Sequence, residues 1–293
     1  MADKATIGRL LGSDWQDTHL TLQSDQPAGP VGLRRLQFRS NWHEDVPALY
    51  LPPKTGACLL YCHAHGARYH IGMAELTDGR PALQAPYLPE FIQRGWGVLC
   101  LEMPCFGARS DMNENAVSKA RLWHGRTLFG QMLAEQRAGL DWLLGQPEVN
   151  ANRTAVMGIS MGGTLAWWLS ALDPRLRASV SMCCFADLGT LIETGAHDGH
   201  GNYMTVPGLL KSVTTGRLAG LAAPRPAMHC VGLSDWSTPE PAFRKAQSEL
   251  TTAYREMGAK DALTFHVAEN VGHEETAEMR KAVLTFLEDH LAP

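Results

Sequence analysis

The segment Ala155-Val156-Met157-Gly158-Ile159-Ser160-Met161-Gly162-Gly163-Thr164-Leu165-Ala166 constrains this chain more than any other. An apolar run of strand character ends in Gly-x-Ser-x-Gly and passes at once into Leu165 to Leu172, which can form a buried helix. Strand, sharp turn and helix in that order present a serine hydroxyl at the apex of the turn. The glycines follow from sterics, because side chains at Gly158 and Gly162 would collide with neighbouring backbone. Met161 opens the helix, so its N–H has no intrahelical partner and lies at the positive end of the helix dipole, suited to an anionic oxygen. At average Gly and Ser usage the pentapeptide arises by accident in about one chain in ten of this length. The weight therefore falls on its flanks and on whether the chain supplies the partners a serine nucleophile needs.

The surrounding pattern is that of an α/β chain. Ala57 to Cys62, Trp96 to Leu101, Ala178 to Cys184 and Pro226 to Val231 are continuous apolar runs, as strands buried on both faces require, and Ala262 to Val267 follows them. Helical stripes lie between them: Pro86 to Arg94, Thr127 to Gly145, Thr238 to Met257, and a last one through Met279, Val283, Phe286 and Leu291. Thr18 to Leu22, Leu33 to Arg39 and Val46 to Leu51 instead alternate, which suggests antiparallel strands with one wet face. The expected architecture is a mainly parallel twisted sheet with helices on both faces and antiparallel N-terminal strands, in one domain spanning residues 1–293. Residues 1–45 form an N-terminal arm and edge strands. With 45% hydrophobic and 19% charged residues the core is ample, and a net charge of −4 leaves no basic footprint for nucleic acid. No apolar run approaches a membrane span and Met1 to Thr6 lacks a signal-peptide core, so a cytoplasmic protein is expected. Most of the seven cysteines lie in strand-like runs, where reduced, buried thiols are expected.

A serine hydroxyl needs a base, and the base needs a carboxylate to fix its tautomer. Asp235, in Val231-Gly232-Leu233-Ser234-Asp235, and His273, in Val271-Gly272-His273, both follow buried strands and come in the order Ser, Asp, His. Glu240 is the rival carboxylate, but it follows Pro239 at a helix start, where the helix dipole explains an acid. The loop after the first buried strand, Cys62-His63-Ala64-His65-Gly66-Ala67-Arg68-Tyr69-His70, is placed to supply a second oxyanion donor. The N–H of Ala67 is expected in that role, beside that of Met161. His63, His65 and His70, joined by His197 and His200, are read alternatively as a metal site. The preferred reading has no metal and no cofactor, with one of these imidazoles bonding loop backbone beneath the oxyanion hole.

On these residues, together with Glu102 to Ser110 after the second buried strand, the chain resembles an α/β-hydrolase of the dienelactone hydrolase and acetyl xylan esterase-like group, over roughly residues 46 to 290. Dienelactone hydrolases carry cysteine where this chain has Ser160, and many relatives have Asp where it has Glu102. The resemblance implies a serine esterase. It also implies that the excursion 185–223 passes over the acyl pocket, so that His200, Tyr203 and Trp236, with His65, shape the substrate site. The expected activity is cleavage of a small to medium carboxylic ester through an acyl-enzyme, failing as pH falls through the ordinary range of histidine. The alternatives are a peptidase or amidase, an acyltransferase, a carbon–carbon bond hydrolase, and a ligand-binding relative without catalysis. The partner is a small-molecule ester, with no nucleic acid and no membrane. Residues 1–45 are available to dock a second copy, so a homo-oligomer is one expected state.

Overall fold

The computed structural model describes residues 3–12, 15–29 and 31–292; the remaining positions of the N-terminal arm, and residue 293, lie outside the described residues. At its centre is a nine-stranded sheet of β1 (Leu20–Pro27), β2 (Arg34–Ser40), β3 (Asp45–Leu51), β4 (Cys58–Cys62), β5 (Gly97–Leu101), β6 (Thr154–Ile159), β7 (Ser179–Met182), β8 (Ala227–Gly232) and β9 (Leu263–Ala268). The spatial order is β1-β2-β3-β5-β4-β6-β7-β8-β9. β1, β2, β3 and β5 pair antiparallel, and from β5 through β4 to β9 every pairing is parallel.

Burial explains this division. β4 to β8 are buried at every position, as strands covered on both faces must be. Along β4, Cys58, Leu60 and Cys62 enter one core while Leu59 and Tyr61 enter the other, the two-residue alternation of a pleated strand. The first core takes the helices Lys4–Leu11, Leu128–Leu144, Met161–Leu172 and Glu240–Glu256 through Ile7, Phe129, Leu165 and Phe243. The second takes Leu88–Arg94 and Ala277–Leu291 through Phe91, Val283 and Leu287. Thr127 caps its helix by accepting the Gly130 N–H (2.8 Å), and its hydroxyl donates to the Leu11 carbonyl (2.9 Å). One cap thus also fastens the N-terminal helix, and Ile7, Leu11 and Trp15 are sealed into the chain's own core.

One expected boundary moves, and two features appear that the sequence pattern does not announce. β1 runs on to Pro27 through a register shift at Leu22/Ser24; it is an exposed edge, where polar residues, a bulge and a proline are tolerated. A helix, Glu114–Trp123, forms where no apolar stripe announces one, because the residues it buries, Glu114 and Ser118, are polar. The excursion 185–223 is built from short helical pieces, including Leu188–Glu193 and Thr215–Ala219. All seven cysteines are free, six of them buried. Among the described residues no helix is long and apolar enough to cross a membrane.

His229 in β8 gives this core a pH dependence. Its ring lies against Phe185 (centroids 4.1 Å apart) and Phe265 (5.7 Å), and among the described residues its Nδ1 has no hydrogen-bond partner. Burial pulls its pKa from 6.5 to about 3. Between those values the unfolded chain binds a proton that the folded chain does not. Stability from this group is therefore lost as pH falls below about 6.5, by about 1.4 kcal/mol per pH unit. Urea unfolding of His229→Leu at pH 7, 6 and 5 should show a correspondingly flatter loss of stability than the wild type; parallel losses in both proteins would contradict the assignment.

Candidate active site

Ser160 joins β6 to the helix Met161–Leu172 with φ +58° and ψ −124°, a region that costs a non-glycine residue about 1–3 kcal/mol. The surroundings hold it there. Its N–H donates to the Met182 carbonyl of β7 (2.8 Å), and its carbonyl accepts the Thr164 N–H (2.9 Å). A Cβ at Gly158 or at Gly162 would run into the Cys62 carbonyl at the end of β4. The backbone leaving β4 thus crosses directly against the turn, and only glycine leaves room for it.

The other two residues arrive from β8 and β9. A Cβ at Gly232 would strike the carbonyls of Val271 and Gly272, and Ser234 N–H donates to the Val271 carbonyl (3.0 Å). The two loops are therefore laid against each other. Asp235 is buried, with Oδ2 2.7 Å from His273 Nδ1, and His273 Nε2 lies 2.9 Å from Ser160 Oγ. An ionised carboxylate only accepts, so the bond to Asp235 puts the imidazole proton on Nδ1 and turns the Nε2 lone pair toward the serine hydroxyl. Asp235 Oδ1 accepts from both the N–H (2.8 Å) and the hydroxyl (2.7 Å) of Ser237, whose Oγ is also 2.9 Å from His273 Nδ1. Glu240, the rival carboxylate, is half exposed and paired with Arg244 at 3.1 Å. Such a chain can deprotonate a hydroxyl and hold the resulting imidazolium.

The loop expected to supply the second oxyanion donor differs from expectation at one atom. Gly66 and Ala67 both take left-handed backbone, with φ of +53° and +52°, which curls the chain so that the Ala67 N–H donates to His65 Nδ1 (2.9 Å). That donor, expected free, is already engaged. The Met161 N–H, first in its helix, has no intrahelical acceptor. Beneath the loop, His63 accepts the Met103 N–H on Nε2 (3.1 Å) and lies against Glu102.

Ser160 and His273 open onto a cavity of about 180 Å³ that His65, His200, Tyr203 and Trp236 also line. His200 Nε2 bonds the Ser237 carbonyl (2.9 Å), and burial pulls its pKa down. Trp236 is 60% exposed at the mouth, while Tyr203 is buried. The inner wall is apolar, with Phe129, Trp167, Trp168, Leu188 and Leu191. No Asp, Glu, Lys or Arg lines it among the described residues. Among those residues, too, no three or more His, Cys, Asp or Glu side chains are grouped to hold a metal ion.

Two residues of this assembly escaped the sequence reading. Nothing in the neighbourhood of Ser237 ties it to His273 before folding. Glu114 is buried behind His65, with Oε2 2.6 Å from its Nε2. Its one sequence signal is the pair Asn113-Glu114, an N-cap followed by a first-turn acid; the Asn113 side chain accepts the Ala116 N–H at 3.0 Å.

Exchanging Asp235 for Asn keeps the shape but favours the wrong imidazole tautomer. Asp235→Asn should lower kcat by about 10⁴-fold with an unchanged melting temperature; a loss below tenfold would show that Asp235 does not orient the base.

The family model described as X-Pro dipeptidyl-peptidase (S15 family) matches residues 126–279, just over half of the chain. A relative from Bacillus subtilis (strain 168), YtaP, named as a hydrolase, is 36% identical over 256 residues, covering 86% of this chain and 85% of its own. Among solved structures, acetyl xylan esterase 1 from Thermoanaerobacterium sp. JW/SL YS485 superposes with a TM-score of 0.63 at 18% identity, over 99% of this chain and 92% of that one. A glucuronoyl esterase from Solibacter usitatus gives 0.63 at 13% identity, over 96% and 91%. At these identities the structural likeness speaks for the α/β-hydrolase fold.

Proposed function

The chain belongs to the S15 family of α/β-hydrolases, and from that premise we propose that it is a serine esterase acting on carboxylic esters with an uncharged, apolar acyl group. The observation that carries the reading is the unbroken hydrogen-bond chain Asp235–His273–Ser160, opening onto a cavity that no Asp, Glu, Lys or Arg lines among the described residues. In this mechanism His273 Nε2 takes the Ser160 proton as Oγ attacks the acyl carbon. The oxyanion that forms draws the N–H of Met161 and of Ala67, each worth roughly 3 to 4 kcal/mol in such sites. His273 then protonates the leaving alcohol, and water repeats the cycle on the acyl-enzyme. The cavity is close to the roughly 150 Å³ in which benzene binds, so it suits an acyl chain of about four to six carbons or a single ring.

The S15 family model supports a second reading, a dipeptidyl-peptidase. Such an enzyme must hold the α-ammonium of its substrate against a carboxylate or a set of fixed acceptors. The acids nearest the cavity, Glu114 and Asp235, are buried and occupied by His65 and His273, which favours the ester. The seven free cysteines suit a reducing compartment, so we place the protein in the cytoplasm.

A panel of p-nitrophenyl esters from acetyl to octanoyl, with the benzoyl ester and Ala-Pro-p-nitroanilide, separates the readings. Turnover should peak from butanoyl to hexanoyl or on benzoyl, fall to background in Ser160→Ala, and be absent on the dipeptide anilide. Preferential cleavage of the anilide would reverse the assignment.

A further inference from the structure

Behind the cavity wall, and outside it, the Glu114 carboxylate ties two separate segments to its own helix. Oε2 lies 2.6 Å from His65 Nε2 and accepts the Tyr69 hydroxyl (3.0 Å), both from the oxyanion loop. Oε1 accepts the Tyr203 N–H (3.0 Å) from the excursion. Burial alone would raise the pKa of this acid, but the bonds from His65, Tyr69 and Tyr203 outweigh it and hold the pKa below the usual carboxylate range. Gly201 closes over the pair so tightly that a Cβ there would meet both Glu114 Oε1 and His65 Nε2. The His65 ring is further wedged among Phe106, Tyr69 and Tyr203, with centroids 5.1, 5.1 and 5.4 Å away.

An ionised carboxylate can only accept, so the proton between them belongs to His65 Nε2. The Nδ1 lone pair is then free, and it is the atom that receives the Ala67 N–H at 2.9 Å. We propose that Glu114 is a positioning residue for the second oxyanion donor: by keeping the His65 proton on Nε2, it makes Nδ1 the holder of the Ala67 N–H until the tetrahedral oxyanion takes that N–H over. The transfer is downhill, because bonds to an ionised oxygen are roughly twice as strong as those between neutral groups. The bond to Nδ1 also keeps Ala67, which lines the cavity, in the left-handed backbone that alanine would otherwise leave. Glu114 does not line the cavity itself; it reaches the Ala67 N–H through His65, and its bond to the Tyr203 N–H holds the neighbouring stretch of wall.

Glu114→Gln tests this because the amide has the same shape but one donor end. If its oxygen stays on the Tyr203 N–H, its NH₂ group faces His65 and drives the proton to Nδ1, setting two donors against each other at Ala67. Turning the amide over is the costlier arrangement, because its NH₂ would then face the Tyr203 N–H, a backbone donor that has no second tautomer to adopt. The inference rests on the serine-hydrolase reading, so one readout is independent of turnover: the imidazole ¹⁵N shifts of His65, assigned by comparison with His65→Gln. The wild type should show the Nε2–H tautomer. Glu114→Gln should lose it, with kcat down roughly ten- to hundredfold and KM within about threefold. The affinity of a trifluoromethyl ketone, whose hemiketal oxygen occupies the oxyanion position, should fall by the same factor as kcat, a match that mere loosening of the wall would not produce. A wild-type His65 carrying its proton on Nδ1 overturns the inference even if the variant fails to fold. Unchanged kcat and inhibitor affinity in a folded Glu114→Gln also overturn it. Retained activity in Ser160→Ala instead overturns the reading beneath it.

Discussion

The crossing of the β4 exit over the turn at Ser160 is the contact on which the rest of the site depends. Gly158 and Gly162 pack against the Cys62 carbonyl with no space for a Cβ, and β4 is the direct parallel neighbour of β6, with Cys62 opposite Gly158. This closeness sets the serine, the first N–H of its helix and the loop from His63 to Ala67 within one small volume. The same sheet brings in the other partners, because β8 and β9 lie beyond β7 on the same side of β6 and point the same way. Parallel strands end together, so residues from distant parts of the chain meet at one edge of the sheet. Asp235 and His273 are 38 residues apart in sequence and 2.7 Å apart in space.

The loop above the turn is held by buried acids at alternate positions. The Tyr61 hydroxyl (2.6 Å) and the Ala64 N–H (2.9 Å) go to Glu75, which also pairs with Arg80. His63 lies against Glu102, which accepts the N–H groups of Met73 (2.8 Å) and Ala108 (3.2 Å). His65 meets Glu114. A buried carboxylate without partners would cost several kcal/mol; each of these has two or more. A pocket wall made only of apolar contacts would be free to slide by a side chain's width, whereas these bonds fix atoms to within a hydrogen-bond length. An oxyanion site needs that kind of rigidity.

The parts of this protein governed by local periodicity were legible in the sequence. Strands buried on both faces read as continuous apolar runs, and amphipathic helices such as Leu128–Leu144 were found to within a residue or two. Ser160, Asp235 and His273 could be picked out because the motif and the chain order are local properties, although their convergence is not. What stayed hidden was polar and buried. The helix Glu114–Trp123 turns glutamate and serine inward, so it shows no apolar stripe, and its role depends on Tyr203, 89 residues further along the chain. The engagement of the Ala67 N–H by His65 arises from two successive left-handed residues, only one of them glycine, and no residue preference announces that. Sequence patterns report which side chains leave water; they say little about which buried polar atoms find each other.

Every proposed role in this site turns on Ser160 being the activated nucleophile. Mass spectrometry after treatment with a p-nitrophenyl alkylphosphonate reads this without any assumption about the natural substrate. One phosphonyl group per chain, located on the peptide bearing Ser160 and formed far more slowly in Asp235→Asn, is the predicted result. Modification at another residue, or equal labelling of wild type and Asp235→Asn, would contradict it.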